Sequence, residues 1–340
     1  MHWRHLWIAL LALAAAAIAV VVAIAADSGQ FAGLTGGPAP LASRSGQGNG
    51  TPPASLADQP CGWLARAPAY RHVIWVWLEN KSYRDIIGSG QAPYLNGLAS
   101  KCGLATNYRN VSHPSLPNYL AATSGLARSV RGLPWMSYLD CAPGVFCGTA
   151  AASVFAQGET WRAYEESMPS NCYAKNSGEY AVRHNPPPYY TTLPGCAEND
   201  VPYSRLATDL KDQRLPAFSF VTPNLIDDMH DGTVADGDTW LRRNLPAILT
   251  SPQYADGTTA IFITWDEGNG GHTLENCVAN ASDQSCHIPT LVISPSTTAG
   301  ARSGTLFNHY SLLGTTERLL GLPLLGDAAR YPAMTSAFGL

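Results

Sequence analysis

The stretch His72-Val73-Ile74-Trp75-Val76-Trp77-Leu78 is apolar, β-branched or aromatic nearly throughout and shows no polar alternation. A strand with one wet face alternates. One without alternation has to be covered on both faces, as the inner strands of a parallel sheet are. Ala217-Phe218-Ser219-Phe220-Val221, Thr259-Ala260-Ile261-Phe262-Ile263-Thr264-Trp265 and Pro289-Thr290-Leu291-Val292-Ile293-Ser294 repeat the pattern. Helical spacing lies between and after them, over Pro93-Tyr94-Leu95-Asn96-Gly97-Leu98-Ala99, over residues 238–249 and over residues 310–320. Strands interleaved with helices predict an α/β domain. With 340 residues, 46% of them hydrophobic, the chain is long enough to fill such a core.

Three of these runs stop abruptly at acidic or amide residues: Glu79-Asn80, the loop from Asn224 to Asp231, and Asp266-Glu267-Gly268. In open α/β sheets the ligand site lies beyond the carboxyl ends of the strands. Carboxylates brought together there repel, and a cation is the simplest remedy. Oxygen donors from Glu79, Asn80, Asp266 and Glu267 suit one hard divalent ion, with Ca, Mg, Mn and Zn all admissible.

His113-Pro114-Ser115-Leu116-Pro117-Asn118-Tyr119 is a stiff polar turn, and the apolar run after it reads as a helix. Ser115 then stands near a helix N-terminus, where backbone N–H groups favour an anion and phosphate above all. A serine hydroxyl is a weak nucleophile until a base or a metal activates it. A divalent ion shared with the acidic strand ends supplies that activation.

The net charge of −4, with no basic block, argues against a nucleic-acid partner. Residues 6–26 are apolar without a break after Arg4, which fits either a cleaved signal peptide or an N-terminal membrane anchor. Both place the rest of the chain outside the cytoplasmic membrane, secreted or held on its outer face. Residues 27–60 are rich in Gly, Pro and Ser and predict a flexible linker, so that the folded domain covers 61–340. Eight cysteines without a CxxC pair indicate disulfides in an oxidising compartment. Proximity suggests Cys141–Cys147, Cys172–Cys196 and Cys277–Cys286, leaving Cys61 with Cys102. Residues 126–205, dense in Gly, Pro, Tyr and Cys, read as insertions over the top of the domain.

Glu79-Asn80-Lys81-Ser82-Tyr83, the Ser115 heptad, Arg183-His184-Asn185-Pro186 and Thr264-Trp265-Asp266-Glu267 resemble the bacterial phosphoesterase family, over about residues 70–325. That family holds non-specific phospholipases C and related acid phosphatases. The resemblance implies an alkaline-phosphatase-like three-layer α/β/α sandwich with a mostly parallel central sheet. It implies Ser115 as a nucleophile that also contacts the metal, with Glu79 and Asn80 as the first ligand pair and Asp266 and Glu267 as the later one. The family often has two aspartates at that later pair, so Glu267 is a departure. His113, His184, Asn185 and His230 match polar residues around the phosphate. Asn118 and His309 are grouped with them as substrate-binding residues, and Asp231 is placed to orient the His230 ring. A second metal held by Asp227 or Asp228 with His230 and His309 does not fit the spacing.

The expected activity is hydrolysis of phosphate monoesters: Ser115 attacks phosphorus, His230 or His184 protonates the leaving alcohol, and water releases a phosphoserine. A phospholipase C acting on membrane phospholipids is the alternative, and a binding module that has lost catalysis is a more distant one. The oligomeric state is not legible.

Overall fold

The computed structural model describes residues 50–126, 140–143, 147–271, 276–280 and 282–340. The expected signal peptide or anchor at 1–26 and the linker up to residue 49 lie outside the described residues. Packing starts slightly ahead of the expected boundary at 61. Leu56 is buried, and Pro60 accepts hydrogen bonds from Trp63 Nε1 and the Tyr254 hydroxyl. Among the described residues, no helix is long and apolar enough to cross a membrane.

The strands are β1 (His72–Leu78), β2 (Gly103–Arg109), β3 (Trp161–Glu165), β4 (Asp200–Pro202), β5 (Phe218–Thr222), β6 (Thr259–Trp265), β7 (His287–Ile293), β8 (Arg302–Ser303) and β9 (Phe307–Asn308). They form one sheet in the order β4-β3-β5-β1-β6-β7-β2-β8, with β9 also paired to β2. Every pairing is parallel except the two made by β7, which runs against both β6 and β2. The fold is therefore mixed α/β around a mostly parallel sheet, as expected. The four apolar runs became β1, β5, β6 and β7.

Residues 126–205 are not simply insertions. They supply β3 and β4, which extend the sheet beyond β5. Both strands are too short for periodicity to reveal them.

Trp75 and Trp77 lie two apart on β1 and so share a face. Trp75 Nε1 donates to Thr316 Oγ1 at 2.9 Å, and the Trp77 ring packs on Tyr119 and His309. The helices Ser115–Ser124 and His309–Leu320 thus cover that face. A second pair, Pro93–Lys101 and Val234–Leu249, is joined where Asp238 accepts the backbone N–H groups of Tyr94 and Leu95 at 3.1 and 2.8 Å. Disulfides join Cys61–Cys102, Cys141–Cys147, Cys172–Cys196 and Cys277–Cys286, all as proximity suggested. They agree with an extracellular or secreted protein.

Candidate active site

Register decides where the acidic strand ends meet. Leu78 of β1 pairs with Trp265 of β6, so the next residues, Glu79 and Asp266, leave the sheet side by side. Asp266 N–H donates to the Leu78 carbonyl at 2.9 Å, and Glu79 N–H to the Asp228 carbonyl at 2.8 Å. The loop after β5 is thereby tied to the same point. Because β7 opposes both neighbours, β2 points the same way as β6, and the turn following it delivers Ser115 to the same edge. Gly268 lets the chain leave this edge. A Cβ there would stand 2.4 Å from the Ser285 carbonyl oxygen.

Ser115 is the first residue of its helix and is buried. Its Oγ donates to Glu79 Oε2 at 3.0 Å, and the Tyr119 hydroxyl, one helical turn on, donates to Glu79 Oε1. Pro114 and Pro117 carry no N–H, so this helix start has only the donors of Ser115 and Leu116, and the Leu116 N–H is taken by Asp140 Oδ1 at 3.0 Å.

Glu79, Asp228 and Asp266 are 0% exposed and Glu267 7%. Burial, followed by the charges of Asp266 and Asp228, pushes the Glu79 carboxyl well up. Burial raises Asp266 to about 7 and Asp228 well above the carboxylate range. Burial and then Asp266 do the same to Glu267. Such a cluster asks for a cation. Two of its donor atoms also lack hydrogen-bond partners among the described residues: Asp266 Oδ2 and His184 Nε2. Glu79, His184 and His230 bring donor atoms within 4.8 Å of one another. The donor set therefore fits a divalent metal ion.

The expected ligands do not all face this centre. Glu79, Ser115 and Asp266 come together. Asn80, held at φ 50°, donates its backbone N–H to Asp266 Oδ1 at 3.1 Å. Glu267 Oε2 turns towards His113 Nδ1 at 3.2 Å and Asn118 Nδ2 at 3.0 Å.

The histidines separate in the same way. His184 Nδ1 lies 3.0 Å from Asp228 Oδ2 and Nε2 lies 3.3 Å from Glu79 Oε1; an ionised Asp228 takes the Nδ1–H and leaves Nε2 its lone pair. Burial, with Arg183 and His230, holds its pKa well below the usual histidine value. His230 Nδ1 lies 2.7 Å from Asp231 Oδ1, the orienting contact expected of Asp231. His230 Nε2 accepts from Arg183 Nη2 at 2.9 Å, since a guanidinium can only donate.

Three residues expected at the substrate are turned into the protein. His309 is 0% exposed; its Nε2 donates to the Asp266 carbonyl at 2.7 Å and its Nδ1 accepts from the Tyr108 hydroxyl at 3.2 Å. Asn185 Nδ2 donates to Asp200 Oδ2 and to the Tyr180 hydroxyl, both at 2.9 Å, behind the His184 turn. Asn118 Oδ1 accepts from the N–H groups of Val111 and Ser112, pinning the turn before Ser115. His309, Asn185 and Asn118 thus act on the site through Asp266, His184 and Ser115. Sequence reasoning gave no role to Tyr119 or Arg183, although both stand inside the motifs. It assigned Asp228 only to a discarded second metal site, and Asp140 carried no signal at all.

A serine hydroxyl at a helix start, hemmed in by buried carboxylates at the carboxyl edge of a mostly parallel sheet, is suited to a hydrolase of phosphoric esters, the class that the chain's family and relatives show. The chain belongs to the Phosphoesterase family, whose model matches residues 88–323. It is 30% identical over 277 residues to a phosphatidylinositol-3-phosphatase of Mycobacterium tuberculosis, covering 80% of this chain and 84% of that one. It is 27% identical to an acid phosphatase of Aspergillus fumigatus, covering 76% of this chain but only 56% of the fungal protein. Among solved structures, a protein in the alkaline phosphatase superfamily from Vibrio parahaemolyticus matches with a TM-score of 0.53 at 13% identity, over 79% of this chain and 72% of that one. The phosphonate monoester hydrolase of Agrobacterium radiobacter matches equally, at a TM-score of 0.53 and 13% identity, over 79% of this chain and 77% of that one. These two establish the fold.

Proposed function

We propose that this phosphoesterase is an exported phosphatase that hydrolyses phosphate monoesters through a covalent Ser115 phosphoenzyme. The observation that carries this reading is the Ser115 hydroxyl, buried at its helix start and aimed at Glu79 Oε2 from 3.0 Å. Its proton already points at a Glu79 carboxyl oxygen, which in its ionised form stands where it can take that proton as Oγ attacks phosphorus. The Ser115 N–H, and the Leu116 N–H once released from Asp140, are the donors this helix start would offer the equatorial phosphate oxygens.

Glu79, Ser115 and Asp266, with Asn80 beside them, would hold a divalent ion, and His184 Nε2 faces the same space. When bound, that ion lowers the pKa of the serine hydroxyl and offsets charge on the phosphate. The Asp228 carboxylate fixes His184, and Asp231 fixes His230 in the Nδ1–H tautomer. Once an incoming phosphate draws Arg183 away, His230 Nε2 is released to carry the proton that the leaving alcohol takes up. Hydrolysis of the phosphoserine returns the enzyme.

The name of the Mycobacterium tuberculosis relative supports a phosphomonoester on a lipid headgroup as one substrate class. It favours the monoester reading over phospholipase C chemistry. The test is Ser115→Ala, which abolishes turnover of p-nitrophenyl phosphate while circular dichroism and Tm stay close to wild type. A variant that retains the wild-type rate refutes the scheme.

A further inference from the structure

Asp140 belongs to no motif, and its position is set from the side. Its backbone sits in the left-handed region at φ 42°. The neighbouring Cys141 is bridged to Cys147, and its carbonyl accepts from the Tyr189 hydroxyl at 2.7 Å. From this fixed point the Asp140 carboxylate reaches into the phosphate end of the site. Oδ1 accepts the backbone N–H of Leu116 at 3.0 Å. Oδ2 lies 3.7 Å from Nε of Arg183, whose Nη2 donates to His230.

Both groups suit an anion at Ser115: one is the N–H of the very next residue, the other a guanidinium hydrogen-bonded to His230. Pro114 and Pro117 offer no N–H, so the Leu116 N–H is half of what this helix start can donate. Arg183, beside the same carboxylate, has a planar fork suited to phosphate oxygens. A carboxylate and a phosphate present the same face to both donors: negative oxygens that only accept.

We propose that Asp140, by accepting the Leu116 N–H and pairing with Arg183, competes with the substrate phosphate for both groups and so sets how tightly the site holds a phosphoryl group. The inference rests on the reading of Ser115 as the centre of the phosphate site. Phosphate binds by displacing the Asp140 carboxylate from Leu116 and Arg183. The displaced carboxylate remains a neighbouring like charge, which weighs most against a dianion. Inorganic phosphate, the product of monoester hydrolysis, is the species most affected, so Asp140 favours its departure.

The test compares wild type, Asp140→Asn and Asp140→Ala for inhibition of p-nitrophenyl phosphate hydrolysis by inorganic phosphate. Removing a competing charge-assisted hydrogen bond lowers the Ki of phosphate by about tenfold in Asp140→Ala. The fall is smaller in Asp140→Asn, whose amide oxygen still accepts from Leu116 and whose shape keeps the local fold. KM for the ester falls in the same order. A role confined to holding Arg183 predicts the reverse, a rise of Ki and KM in both variants. An unchanged or raised Ki, with the wild type inhibited by phosphate, overturns this proposal alone. A wild-type enzyme indifferent to phosphate overturns it together with the reading of the site.

Discussion

Replacing Glu79 by glutamine separates the stability of the site from its chemistry. The side chain is 0% exposed and gathers the Ser115 hydroxyl at 3.0 Å, the Tyr119 hydroxyl and His184 Nε2 at 3.3 Å. Burial and the charges of Asp266, Asp228 and Glu267 all act against its ionised form. Two like charges about 4 Å apart at an effective dielectric of about 20 repel by about 4 kcal/mol. The cluster already relieves part of this by holding protons, so a neutral amide recovers about 1–3 kcal/mol in metal-free protein. At about 2–4 °C per kcal/mol, Tm in chelator rises by about 2–12 °C. A divalent ion at about a hundred times its Kd stabilises the wild type by about 2.7 kcal/mol, or about 5–11 °C. That metal-dependent shift shrinks to about a third or less in Glu79→Gln, and hydrolysis falls by about a hundredfold or more. The assay is a thermal scan in chelator and then in graded Mg, Mn, Ca or Zn, alongside phosphatase activity. A variant less stable than wild type in chelator refutes the argument from uncompensated carboxylates. An undiminished metal shift shows that Glu79 is not a ligand.

Two further predictions concern the scaffold. Asp238→Ala strips acceptors from the N–H groups of Tyr94 and Leu95 at a buried helix start and costs about 2–3 kcal/mol in urea unfolding; a loss below about 0.5 kcal/mol would show that water takes its place. Asp200 is raised by burial from 3.8 to about 7. The native state keeps a proton that the unfolded chain gives up, so this contribution is fully present below about pH 4 and is lost as pH climbs to about 7. The loss is at most about 4 kcal/mol and is shared with Glu165, whose carboxyl Asp200 raises further. Asp200→Asn flattens that slope, read as Tm against pH; an unchanged slope places the proton elsewhere.

What local composition encodes was legible in the chain. The runs that became β1, β5 and β6 are buried on both faces, so they show no regular polar alternation and the pattern survives without its neighbours. The residues that follow β1 and β6 mark the site because a parallel sheet places its carboxyl ends along one edge. Glu79 and Asp266 were singled out for that reason, Ser115 for its stiff turn at a helix start, and the disulfides for proximity in the chain, three of them closing loops of 6, 24 and 9 residues.

Direction and register are different, because they belong to pairs of strands. β7 reads like its neighbours, yet it runs against them, and that reversal sends β2 and the Ser115 turn to the active edge. The aim of a polar side chain is likewise set by whatever stands opposite it. His309 faces a backbone carbonyl, Asn185 faces Asp200, and Glu267 faces His113. The sequence alone determined which chemical groups the protein has and that they end strands of one covered sheet. Only the tertiary structure decided which of them touch, because a hydrogen bond or a charge contact requires two partners that are distant in the chain.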